Sequence, residues 1–125
     1  MAEKDFITKL TDLLHALQAS TPGVLGAGII SNDGFAIATA LPQNVEERRV
    51  AAMAAAMLML GEQTTSEFEQ GQLERVFVEG ACGYTIIMRA GPEVVLSTVA
   101  RKDTKLGLVF LQMERVAVAV RKAMA

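Results

Sequence analysis

Residues 50–60 read Val-Ala-Ala-Met-Ala-Ala-Ala-Met-Leu-Met-Leu, eleven apolar side chains without interruption. The run is built from Ala, Met and Leu, the best apolar helix formers, with Val50 its only β-branched member. Crossing a bilayer takes about 20 such residues, so this segment is too short to span a membrane. A helix that is apolar on every side must be buried on every side. A chain of 125 residues can cover one face of it with its own sheet. Covering both is harder, and a second subunit is the simplest solution. The feature points to an assembly, with function on a surface rather than in a catalytic cleft.

Composition narrows the class further. Hydrophobic residues make up 51% and charged residues 21%, which excludes a disordered chain. Twelve basic and 14 acidic residues are spread along the sequence for a formal charge of −2. No basic stretch marks a phosphate-backbone binder, so no nucleic-acid partner is expected. A lone cysteine, Cys82, rules out an intrachain disulfide framework and a multi-cysteine zinc site. The start, Met-Ala-Glu-Lys-Asp, lacks the basic and apolar regions of a secretory signal. Ala2 stands where myristoylation needs glycine, and the end carries no prenylation box. The expectation is one cytoplasmic domain over 1–125, without membrane insertion.

Phe6, Leu10, Leu13, Leu14 and Leu17 recur at helical spacing and predict a first helix over about 4–19, stopped by Thr21-Pro22-Gly23. Val24 to Ser31 and Phe35 to Leu41 read as strands around Asn32-Asp33-Gly34, whose Asp-Gly pair is a strong hairpin signal. Pro42 ends the second strand. The long helix is then predicted over about 45–69, with Asn44 as its cap, Glu47 in a capping-box position and Gly71 as its stop. Glu46 and Glu47 complement the positive end of its dipole. Three strands follow, at about 73–79, 84–90 and 94–100. The short links Gly80-Ala-Cys-Gly83 and Gly91-Pro92-Glu93 favour an antiparallel meander. Leu106, Val109, Phe110, Met113, Val116, Ala117 and Val120 mark a last amphipathic helix, capped by Asp103 or Thr104.

The order α-β-β-α-β-β-β-α is that of an α/β (α+β) domain. Tyr84 to Met88 is apolar on both faces, as is Val24 to Ile30, and strands buried on both sides imply helices on both sides. The prediction is a five-stranded antiparallel sheet between the long helix and the two terminal helices. On the long helix, Val50, Met53, Ala54, Met57, Leu60 and Thr64 form a stripe suited to the sheet. Ala52, Ala55, Ala56 and Met59 lie opposite, small enough to let another helix approach. The alternative is that a terminal helix of the same chain covers them.

No catalytic set is visible. His15 is the only histidine and sits on the first helix as a partly exposed surface imidazole. Cys82 falls in a glycine-flanked turn, with no histidine near it in sequence to activate a nucleophile. Gly23, Gly26 and Gly28 have the wrong spacing for a dinucleotide fingerprint or a Walker loop and sit in a strand. They fit close packing or a strand bend. Glu46 and Glu47 are adjacent and do not face one another. No cofactor or metal is expected. None of Arg48, Arg49, Arg75, Arg89 and Arg101 stands out as an arginine acting in trans on a nucleotide.

The segment Leu73-Glu74-Arg75-Val76-Phe77-Val78-Glu79 lies at one end of the meander. As an edge it must be guarded or paired. Pairing two copies antiparallel about a twofold axis would join two sheets and bring the long helices together over the junction.

These pieces in this order resemble the Roadblock/dynein light-chain family, including the bacterial MglB-like proteins. The likeness rests on Gly23-Val-Leu-Gly26-Ala with Asp33-Gly34, the Ala/Met helix, Gly83-Tyr84 before an apolar strand, and Lys105-Leu106-Gly107-Leu108 opening the last helix. It covers essentially the whole chain. The resemblance implies a homodimer with a sheet continuous through both copies and paired long helices. It also implies a Ras-like small GTPase partner, bound on the face carrying those helices. Some bacterial relatives stimulate GTP hydrolysis by arranging the GTPase's own residues; others are scaffolds in motor or signalling complexes. On this reading Ala52, Ala55, Ala56, Met59, Arg75 and Phe77 are the expected dimer contacts. Glu46, Arg49, Glu62 and Gln63 are expected to face the GTPase. A non-catalytic adaptor and a small-molecule sensor are the rival readings.

Overall fold

A computed structural model describes residues 2–125. Its elements are α1 (Ala2–Ser20), β1 (Val24–Ser31), β2 (Ala36–Ala40), α2 (Glu47–Glu67), β3 (Arg75–Glu79), β4 (Gly83–Arg89), β5 (Val94–Arg101) and α3 (Leu106–Met124). All strand pairings are antiparallel, in the order β2-β1-β5-β4-β3. The β3-β4-β5 meander and the β1-β2 hairpin are thus joined by pairing β1 with β5, leaving β2 and β3 as the two edges.

The sheet is buried on both faces by different helices. On one face, Leu10, Leu14 and Leu17 of α1 and Val109, Met113 and Val120 of α3 pack on Ile29, Ile86 and Leu96. On the other face Ala51, Ala54 and Leu58 of α2 pack on Ile30, Ile87 and Val95. This is the sandwich that strands apolar on both sides require.

The phase of α2 differs from the sequence expectation. Ala51, Ala54 and Leu58 point at the sheet, with Val50, Met57 and Gly61 half-buried beside them. Met53 and Leu60, assigned to the sheet, are 49% and 62% exposed, and Thr64 is exposed too. Close approach decides the matter: a Cβ on Gly61 would lie 3.0 Å from both Leu73 and Val76 side chains. Small residues face the sheet so the helix can come this near, and Met53, Met59 and Leu60 turn outward.

The helix caps also differ. The N-cap of α2 is Glu46 rather than Asn44, and that of α3 is Lys105 rather than Asp103 or Thr104; neither cap residue makes a side-chain hydrogen bond. At the end of α2, Gln70 N–H donates to Thr65 O and Glu69 N–H to Ser66 O, the Schellman pattern. Glu69 takes the left-handed position at φ 51°, where the expected stop was Gly71.

The glycines of β1 act through backbone geometry. A Cβ on Gly26 would lie 3.0 Å from the Ala40 carbonyl, and the β1–β5 register shifts between Val24 and Gly26. A second irregularity breaks the β1–β2 register between Ile29 and Ile30. At the start of β1, Gly23 has φ +101°, and a Cβ there would fall 2.0 Å from Thr104 Oγ1. Thr104 is buried against that glycine, and its carbonyl accepts the hydrogen bond of Tyr84 Oη at 2.9 Å.

Candidate interaction surface: an open strand edge and a half-covered helix

Because side chains alternate along a strand, β3 divides between the two faces of the sheet. Arg75, Phe77 and Glu79 pair with Met88, Ile86 and Tyr84, on the side of α1 and α3. Val76 pairs with Ile87 on the α2 side, and Val78 follows it there. At this edge Phe77 remains 41% exposed and Val78 45%.

The backbone of this edge is equally open. Gly80 N–H donates to Gly83 O at 2.8 Å, closing the β3–β4 hairpin. Antiparallel ladders alternate, so the N–H and C=O groups of Val76 and Val78 turn toward β4. Those of Arg75, Phe77 and Glu79 turn outward, with no strand to receive them.

Side chains at the edge are held in place by α3 and the β5–α3 connection. Arg75 Nη2 lies 3.1 Å from Glu114 Oε1, and its guanidinium stacks 4.6 Å above the Phe110 ring. Phe77 rests against Tyr84 at 5.5 Å between ring centroids. Lys102 Nζ bridges Glu79 and donates to the Gly80 carbonyl at 3.0 Å.

The outer side of α2 carries the remaining expected residues. Ala52, Ala56 and Met59 are exposed, whereas Ala55 is half-buried. The β1–β2 turn leans on that flank: a Cβ on Gly34 would sit 3.5 Å from Ala55 Cβ and 3.7 Å from Ala52 Cα. The opposite flank carries Met53, Leu60 and Thr64, all exposed, with Met57 half-buried. Glu46 and Arg49 form an exposed pair at 3.8 Å, and Gln63 is exposed. Glu62 is tied to Arg89 of β4 at 2.7 Å, so it belongs to the joint between helix and sheet as much as to the surface.

Met53, Leu60 and Phe35 are exposed apolar residues beyond those expected at the surface from the sequence. Phe35 is 70% exposed just after the Gly34 turn. An aromatic side chain directly following an Asp-Gly hairpin was the available signal.

His15 is exposed on α1, and Cys82 is exposed in the β3–β4 turn. A cavity of about 560 Å3 opens between the start of β3, the end of β4 and α3, lined in part by Leu73, Arg75, Met88, Arg89 and Arg121. Two of those guanidinium groups are already committed, Arg89 to Glu62 and Arg75 to Glu114. Among the described residues no helix is long and apolar enough to cross a membrane.

A sheet of this order, with one long helix on one face, two terminal helices on the other and an open third strand, defines a Roadblock-type domain. The Roadblock/LC7 domain family matches residues 10–100, and the chain belongs to that family. Two uncharacterized proteins of Methanocaldococcus jannaschii are similar in sequence. One is 35% identical over 101 residues, covering 81% of this chain and 88% of that protein. The other is 38% identical over 97 residues, covering 78% and 81%. Among solved structures, a Roadblock/LC7 domain from Streptomyces avermitilis has a TM-score of 0.87 at 21% identity, covering 91% of this chain and 96% of that one. MglB of Myxococcus xanthus also has a TM-score of 0.87 at 21% identity, covering 94% and 89%. Profilin II of Acanthamoeba castellanii shares the fold at a TM-score of 0.66 and 16% identity, covering 96% and 99%.

Proposed function

We propose that this protein is a homodimeric, cytoplasmic regulator that binds a Ras-like small GTPase and promotes its GTP hydrolysis without a catalytic site of its own. The observation that carries the dimer is continuity between two incomplete features. The outward groups of Arg75, Phe77 and Glu79 need a strand. α2, whose Gly61 packs against Val76 of that strand, leaves Met53 and Leu60 uncovered on the flank away from the β1–β2 turn. A second copy related by a twofold axis through β3 fills both needs at once. In that arrangement the helices meet through Met53, Met57 and Leu60. Ala52 and Met59, expected as dimer contacts, instead stay on the flank beside Phe35, free for another protein.

The resemblance to MglB-like proteins supports a small GTPase as that other protein. The paired helices offer a rigid platform, charged at both ends by Glu46, Arg49 and the acidic neighbours of Gln63. Binding a hydrolysis-competent arrangement of the GTPase switch loops more tightly than other arrangements would raise the hydrolysis rate by differential binding alone.

The test is affinity capture from native cytosol with a non-hydrolysable GTP analogue and with GDP, followed by hydrolysis assays on any GTPase retained. Preferential retention with the analogue and faster hydrolysis support the proposal. Retention insensitive to nucleotide, or without effect on hydrolysis, moves the reading to a dimeric adaptor.

A further inference from the structure

The Arg75–Glu79 strand carries its own pairing rule. We infer that Arg75 and Glu79 select a second copy of this same chain as the partner at the β3 edge, in an antiparallel register centred on Phe77. The inference rests on the dimer reading above and adds which partner is chosen and how it is aligned.

Symmetry and the phase of the hairpin hydrogen bonds fix the register. A twofold axis normal to the sheet keeps each face on its own side, so Arg75, Phe77 and Glu79 must meet one another, and Val76 and Val78 likewise. The same three residues own the outward hydrogen-bonding groups, since Gly80 and Gly83 close the hairpin as a bonded pair. Centred on Phe77, each of the three finds a bonded partner. Centring on Val76 would set Arg75 against the partner's Phe77 and leave Glu79 beyond the strand end. Centring on Val78 would set Phe77 against the partner's Glu79 and leave Arg75 unpaired.

Charge complementarity points to the same register. Centred on Phe77, Arg75 faces the partner's Glu79, and Glu79 faces the partner's Arg75. On the other face Val76 and Val78 pair with the partner's Val78 and the partner's Val76, closing an apolar strip that a lone copy leaves exposed. The intrachain contacts already hold both charges on the correct face: Arg75 against Glu114, and Glu79 against Lys102. Pairing therefore extends each contact into a row of alternating sign, Glu114, Arg75, then the partner's Glu79 and the partner's Lys102. Opposite charges directly across an antiparallel pair attract and like charges repel. A related chain with another charge pattern at these two positions is rejected by the same rule.

Charge reversal tests the rule. Arg75→Glu sets carboxylate against carboxylate at both symmetric positions, and Glu79→Arg sets guanidinium against guanidinium. Each variant alone is expected to raise the dimer dissociation constant about 10- to 100-fold by sedimentation, because two cross-strand pairs turn repulsive. Mixing the two variants restores every pair: one chain then carries carboxylates at both positions, and the chain facing it carries guanidinium groups at both. The mixture should form a heterodimer of near wild-type affinity, seen by native mass spectrometry. Circular dichroism of each variant checks that the domain is folded. Single variants that dimerise like the wild type, or a mixture of folded variants that fails to recover, overturn the register. A wild-type chain that sediments as a monomer overturns the dimer reading itself.

Discussion

Arg89 Nη2 lies 2.7 Å from Glu62 Oε2, joining the end of β4 to the C-terminal third of α2. Arg89 keeps only 19% of its side chain exposed and also donates to the Pro92 carbonyl at 3.3 Å. Through this one side chain the long helix, the sheet and the β4–β5 turn are fastened together. Arg89→Met should lower unfolding free energy by about 1–2 kcal/mol, near the value of a partly shielded charge-assisted hydrogen bond. Glu62→Gln should cost less than about 1 kcal/mol, because its half of the pair is solvated. Urea denaturation of both single variants and the double variant measures the coupling.

The Gly23–Thr104 contact sets a second expectation. With φ +101° and a Cβ position 2.0 Å from Thr104 Oγ1, Gly23→Ala is both strained and blocked. A loss of about 2–4 kcal/mol is expected from overpacking plus backbone strain. Adding Thr104→Ser leaves the hydroxyl in place and should recover little. Adding Thr104→Gly removes the obstacle and should recover part of the loss in thermal melts.

Alkaline pH probes Tyr84. Burial raises its phenol pKa above the ordinary 10.0, with the nearby Thr104 side chain opposing and Asp103 reinforcing the shift. The folded state therefore holds the phenolic proton more tightly than the unfolded chain. That stabilisation is complete below about pH 10 and is lost as pH rises through the raised pKa. Tyr84→Phe should cost about 1 kcal/mol at neutral pH, by leaving the Thr104 carbonyl without its donor. Above pH 10 the variant should lose stability less steeply than the wild type, as followed by denaturation from about pH 8 to 11, a range that brackets the ordinary tyrosine value.

On the proposed reading, variants on the two flanks of α2 are expected to separate dimerisation from partner binding. Leu60→Glu places charge where the second helix is proposed to lie, and should raise the dimer dissociation constant more than about 10-fold, since burying an unpaired carboxylate is costly. Met59→Glu, on the flank with Ala52, should leave sedimentation unchanged and weaken capture of the GTPase. The reverse pattern would return the helix contact to the alanine-rich flank.

Much of the fold is legible in the sequence because its signals are local. Asn32-Asp33-Gly34, Pro42 and the glycine turns place the strand ends, and the leucines of α1 recur at an unambiguous helical spacing. The rotation of α2 is illegible for the opposite reason. With every residue from Val50 to Leu60 apolar, hydrophobic periodicity has nothing to select a phase, and contact with Leu73 and Val76 selects it instead. Gly61, following Ala54 and Leu58 at helical spacing, is the one local trace of that close approach. Edge placement of β3 can be argued from its end position in the meander. The tether from Arg75 to Glu114, 39 residues away, has no trace in sequence. Nor does the role of Thr104, which packs against Gly23 and receives Tyr84 where a helix cap was expected.

The irregular pairing between β1 and β2 has a consequence for assembly size. Joining two copies through β3 moves both β2 strands to the outer rims of the shared sheet. A regular β2 would invite further copies and allow growth into a fibre. The register break opposite Ile29 and Ile30 disturbs the ladder at that rim, and such breaks discourage further strand addition. In the proposed dimer the complex would thereby be self-limiting: one rim pairs, and the other keeps pairs from polymerising.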